Sequence, residues 1–153
     1  MPAEALEKIE VVLDSHIREL ERHLSTVDGG FEAKLKKAAA SIAGSVARIF
    51  DRLRTNEPVS KRLRDDYTLL NLAVISYGML NTAALALAET EIASMAERHM
   101  SGLTPLMVEL SDIIPFVLAG ELAGKGQVED ATVAGQAAAQ YRQAWSREVT
   151  MRV

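Results

Sequence analysis

Residues 67–88 read YTLLNLAVISYGMLNTAALALA, 22 residues in a row without a charge, in a chain of 153 in which charged residues make up 25%. Length alone would let this run cross a bilayer, which takes roughly 20 apolar residues. Its content argues for a packed helix instead. Thr68, Asn71, Ser76, Asn81 and Thr82 interrupt it, and Asp65, Asp66, Glu89 and Glu91 bracket it with acids where a span would carry basic anchors. A helix that is apolar all round is normally buried on most sides. A heptad-like seam of Leu63, Tyr67, Leu70, Val74, Tyr77, Asn81, Ala84 and Ala88 serves a core, while Leu69, Leu72, Ile75, Met79 and Leu87 need cover from elsewhere. Either a later helix lies over them or a second copy of the chain does. The expectation is a homodimer with Leu72, Ile75 and Met79 at the interface, since an uncovered patch of this kind is a liability in water.

The flanking sequence is helical in period. Upstream, Leu6, Ile9, Leu13, Ile17, Leu20, Leu24 and Val27 step by three or four, and Asp28-Gly29-Gly30 stops them. A second stripe, Phe31, Leu35, Ala38, Ile42, Val46, Ile49 and Leu53, ends before the turn cluster Thr55-Asn56-Glu57-Pro58. The third helix is expected to start at Ser60 as N-cap, with Lys61 to Asp66 as its solvated first turns. A break is placed at Glu89-Thr90, with Thr90 as N-cap, because an unbroken helix to residue 101 would be roughly 60 Å long. The fourth stripe is Ile92, Ala96, His99, Leu103, Leu106, Leu110, Ile113 and Val117, with Pro105 and Pro115 expected to start, bend or shorten helical segments. Gly120, Gly124 and Gly126 mark a loop over 120–127, and a weaker helix at about 128–150 carries Tyr141 and Trp145.

The chain is therefore read as one all-α domain over 1–153, an up-down-up-down four-helix bundle at about 3–120 plus a C-terminal fifth helix. Composition narrows the function. The net charge of -4 gives phosphate backbones nothing to grip, so nucleic acid is not an expected partner. With no cysteine there is no thiolate nucleophile, disulfide or cysteine metal site. No phosphate-binding loop, dinucleotide fingerprint or nucleophile elbow is present. The N-terminus lacks a basic region followed by an apolar run, so the expected compartment is the cytoplasm, with no membrane partner.

Three histidines carry the remaining chemistry. His16, Glu19 and His23 share one helix edge, and His99 sits in the seam of the fourth helix. In an up-and-down bundle, nine residues into the fourth helix is level with roughly residue 18 of the first, at equal rise per residue. His16, Glu19, His23 and His99 are thus a candidate metal set for iron, manganese or zinc. The plainer reading is two half-exposed histidines at a helix edge and one hydrogen-bonded histidine in the core, with no cofactor. At the same level, Tyr77, Asn81 and His99, with Ser41 and Ser45, form a polar layer. It either lines a pocket for a small ligand or fixes helix register through internal hydrogen bonds.

The four stripes, their turn spacing, and the run Tyr77 to Leu87 followed by Ala96-Glu97-Arg98-His99 resemble ferritin-like helical bundle proteins, in particular small bacterial ones of stress-associated role. The resemblance covers about residues 3–120 and is one of pattern. For the oxidases of that family it implies a di-iron or di-manganese centre held by one Glu from each of two helices and Glu-x-x-His from each of the others. Here Leu13, Leu20 and Ala96 stand three residues before the histidines, and no Glu-x-x-His occurs. Between Glu32 and Asp51, and again between Asp66 and Glu89, there is no acid. The expectation is a non-enzymatic bundle acting by self-association or partner binding, with a metal-binding or redox bundle and a small-ligand carrier as the alternatives.

Overall fold

A computed structural model describes residues 2–24, 57–127, 130 and 132–146, together with Lys37 and Gly44, and every helix named here lies within them. The second stripe, with Ser41 and Ser45, falls outside the described residues. The four described helices are α1 (Pro2–Leu24), α2 (Val59–Ala86), α3 (Thr90–Ala123) and α4 (Val133–Ser146). The all-helical class expected from composition is what the structure has; among the described residues there is no strand.

α3 is the hub, packed against α2, α4 and α1. Facing pairs give the directions. Ser60 meets Glu121, Tyr77 meets His99 and Asn81 meets Ala93, so numbering falls on α3 as it rises on α2, an antiparallel hairpin. Lys8 meets Glu109 and Glu19 meets His99, so α1 is antiparallel to α3 as well. Leu13, Leu63, Leu70, Leu103 and Leu110 fill the core between these helices, each fully buried. α4 lies along α3, with Arg142 bonded to Asp112 at 2.8 Å.

The hairpin turn shows how a helix ends without glycine. Ala88 takes φ +60°, a left-handed conformation that costs a residue with a Cβ about 1–2 kcal/mol. The amides of Ala88 and Glu89 close back on the carbonyls of Leu85 and Ala84, which satisfies the end of α2. The break falls where expected, but Thr90 is the first helical residue and Glu89 stands at the cap. At its other end α2 begins at Val59, after Pro58, with no side-chain cap of its own. The carboxylate of Glu121, from the far end of α3, serves instead, accepting from the Ser60 amide at 3.0 Å and the Ser60 hydroxyl at 2.5 Å. The Ser60 hydroxyl above all, with the backbone amides beside it, holds the Glu121 carboxyl below its usual pKa.

Three expectations are corrected. Pro105 and Pro115 do not divide the fourth region: both stand inside one continuous helix of 34 residues. Packing on α2 and α4 along its length offsets the backbone bonds that the prolines remove. The last helix starts at Val133 rather than about 128, and α3 runs through Gly120 to Ala123 before the turn at Gly126, φ +67°. The seam of α2 is also turned slightly from the one expected. Leu63, Leu70, Tyr77 and Ala84 are buried, but the alternate positions are Asp66, Ala73 and Leu80 rather than Tyr67, Val74 and Asn81. Asp66, read as part of a solvated turn, is fully buried.

Candidate functional site

The described structure has two features that need a functional account, a polar cluster inside and an apolar face outside. The cluster forms where α1 crosses α3 beside α2. His16 and His99 stack face to face, ring centroids 3.9 Å apart and planes 4° from parallel. Tyr77 closes the group edge-on, 5.0 Å from His99 and 5.9 Å from His16. Glu19, one turn beyond His16, binds His99 Nε2 at 2.8 Å through one oxygen and Arg98 at 2.7 Å through the other. His23, one turn further, lies 4.0 Å from Glu19 at the cluster's outer edge. Gly102 flanks His16: a Cβ there would sit 3.6 Å from Nε2, so the ring rests directly on the backbone of α3.

Electrostatics follow from burial. His99 is 3% exposed, and desolvation lowers its pKa against the opposing pull of Glu19, so the ring is neutral near pH 7. His16 is pushed down to about 4, chiefly by burial and then by its neighbour His99. Glu19 is held below the usual carboxylate range, first by the hydrogen bond from His99 and also by Arg98. Burial pushes the Tyr77 phenol up. A carboxylate only accepts, so His99 Nε2 carries the hydrogen and Nδ1 keeps its lone pair. That Nδ1, His16 Nδ1 and the Tyr77 hydroxyl are buried without a hydrogen-bond partner.

The four residues of the candidate metal set are thus brought to one place, with Glu19 bridging His99 and Arg98. Among the described residues, however, no group of three or more His, Asp or Glu side chains is arranged to hold a metal ion. The stack shows why: a metal lies in the plane of each imidazole that binds it, and parallel rings 3.9 Å apart cannot share one at a bond length of about 2.0–2.1 Å. Of the candidate pocket residues, Tyr77 and His99 meet, while Asn81 is spent on the Ala93 carbonyl at 2.9 Å. Asn81 lines a separate shallow depression with Leu85, Thr90, Ser94, Glu97 and Met100. Arg98 and Gly102 belong to the cluster and were not singled out by the sequence reading. The available signal was position: they flank His99 at one and three residues along the same helix.

The second feature is the outer face of α2. Leu72, Ile75 and Met79 are 43%, 58% and 69% exposed and share one side of the helix; Leu85, also exposed, lies on the side of Asn81. Between the ridges runs an open apolar groove of about 690 Å³, floored by Gly78, Thr82, Ala83 and Ala86 and closed on one side by Met100. Gly78 faces Met100 across it: a Cβ there would sit 3.8 Å from the Met100 sulfur. α4 does not cover this face. It docks on α3, level with Asp112, which lies near the opposite end of the hairpin. α2 is also the one described helix long and apolar enough to cross a membrane, with a third of its most apolar window buried in the fold.

No protein-family model matches the chain, and neither a curated protein nor a solved structure shows significant similarity to it.

Proposed function

We propose that the chain is a ferritin-like bundle without a di-iron centre, acting by association, and that the outer face of α2 is where a second copy binds. The carrying observation is the exposed row Leu72, Ile75 and Met79 beside an apolar groove lined by Gly78, Ala83 and Ala86. Ridge and groove on one helix make the patch self-complementary, which a two-fold interface requires. The 22 uncharged residues of 67–88 put no charge against its own copy. Such neutrality disfavours a strongly charged partner and suits pairing of like with like. Burying what remains of three half-exposed side chains yields roughly 1 kcal/mol each, so about 6 kcal/mol across two copies, to which the groove lining adds. Association costs about 4–15 kcal/mol. A weak, readily dissociated dimer is the expected state.

Two observations favour a protein partner over lipid. The inner side of α2 is committed to α3 through Leu63, Leu70, Tyr77 and Ala84, and the buried Asp66 stands on the same helix. Its Asn81 also holds α3 by a side-chain hydrogen bond. A membrane span would have to give up these contacts. The antiparallel seating of α1 on α3 supports the up-and-down reading, in which first and fourth helices are neighbours. That reading takes its second helix from the stripe at 31–53, which lies outside the described residues, and counts α4 as the fifth.

The absence of native cysteine makes the test clean. Ile75→Cys or Met79→Cys should form an intermolecular disulfide under mild oxidation, at protein concentrations where Ser15→Cys on the exposed side of α1 does not. Equal cross-linking at both places would refute the assignment of this face.

A further inference from the structure

The stacked imidazoles raise a question that association does not answer. Two neutral rings 3.9 Å apart share space comfortably; two charged ones would not. The groups that face the pair, among the described residues, are Glu19 and His23 on α1, Tyr77 on α2 and Arg98 on α3. They supply one carboxylate and one guanidinium, already bonded to each other. The carboxylate is already shared between the guanidinium and His99, so a proton added to His16 goes largely uncompensated, and Tyr77 brings no charge. The cluster is also the deepest attachment of α1. Among the described helices α1 packs against α3, and the exposed Lys8–Glu109 pair at 2.7 Å also joins the two.

We propose that the His16–His99 stack is an acid-operated latch, whose protonation parts the two rings and frees α1 from the α2–α3 hairpin. Once α1 lifts, His16 returns to water and to its ordinary proton affinity. With α1 seated, His16 takes up a proton only near pH 4, against 6.5 for the free side chain. Opening therefore takes up a proton between these values, and the open population rises as pH falls below 6.5, levelling off near 4. His16 retains some solvent contact, which moderates the effect, so roughly a tenfold rise in the open population is expected between pH 7.5 and 5.0. Protonation of Glu19, at lower pH still, acts in the same direction by removing the balancing charge. Lifting α1 would uncover Ile9, Leu13 and Leu20 and the surface of α3 beneath them, so the latch controls access to a second apolar surface.

Hydrogen exchange on the full chain at pH 7.5 and 5.0, corrected for intrinsic rates, tests this. Peptides within 5–23 should lose protection about tenfold more than those within 63–84. His16→Phe keeps an aromatic ring in the stack and removes its proton site, so it should hold α1 closed at pH 5.0. Equal protection of α1 at both pH values, loss in both segments together, or opening of the His16→Phe chain over the same range would each overturn the proposal. Should that variant fail to fold, a histidine titration of the wild-type chain by NMR decides: a His16 midpoint well below 6.5 supports the latch, and one at or above 6.5 overturns it.

Discussion

The interior of the α1–α3 crossing and the outer face of α2 invert the usual distribution of residue types. Inside, where hydrocarbon is expected, stand two histidines, a tyrosine and a half-buried glutamate; outside, where charge is expected, stand Leu72, Ile75 and Met79. The interior cluster lowers the cost of burying polar groups by keeping its imidazoles neutral and spending Glu19 on His99 and Arg98, with both Nδ1 atoms and the Tyr77 hydroxyl left unpartnered. The outer face has no comparable internal remedy, because apolar surface in water is relieved only by being covered. The first region therefore finds partners for its carboxylate within the chain, while the second leaves its apolar surface bare. This is the reason for placing association on α2 and for assigning the cluster to holding and releasing α1.

Substitutions should separate the two regions sharply. The largest effect is expected for Tyr77→Ala, which empties a fully buried site between the histidine rings and should cost about 3–5 kcal/mol in chemical denaturation. Tyr77→Phe tests the unpartnered hydroxyl alone: with no bond to lose, it should leave stability unchanged or raise it slightly. Glu19→Ala leaves the His99 Nε2–H buried without an acceptor and should cost about 1–3 kcal/mol, with α1 the first element to open. Ala88→Gly relieves the left-handed φ at the hairpin turn and should stabilise the fold by about 0.5–1 kcal/mol, seen as a raised denaturant midpoint. The smallest effect on monomer stability belongs to the outer face. Ile75→Ser and Met79→Ser should each change it by less than about 0.5 kcal/mol while lowering dimer content. A large stability loss there would mean that α2 is covered within its own chain and would remove the contrast between the two regions.

Much of this was readable from the sequence, for identifiable reasons. The α1 stripe and the α3 stripe alternate apolar with charged positions, so Ile9, Leu13, Leu20, Leu103, Leu106 and Leu110 were placed in the core from spacing alone. The level of His99 against Glu19 followed from counting rise along antiparallel helices. The phase of α2 was not readable to better than one residue. Beyond Asp66 the helix has no charge to mark its solvent side, so Ala73 and Leu80 took the positions expected of Val74 and Asn81, and Asp66 that of Tyr67. The ring stack was also beyond reach: spacing brings residues to the same level but does not fix side-chain rotamers, and face-to-face imidazoles differ from converging ones by a rotation about one bond. Continuity through Pro105 and Pro115 depends on tertiary packing that overrides local preference.

The most direct test of the central contrast is sedimentation velocity on the wild-type chain and on Met79→Glu, from about 1 to 100 micromolar, the range where a weak dimer dissociates. The account predicts a reversible monomer–dimer equilibrium for the wild type and a monomer throughout for Met79→Glu, with the two chains melting alike at low concentration. A wild-type chain that stays monomeric to the highest concentration, or a Met79→Glu chain that dimerises as strongly, would contradict it.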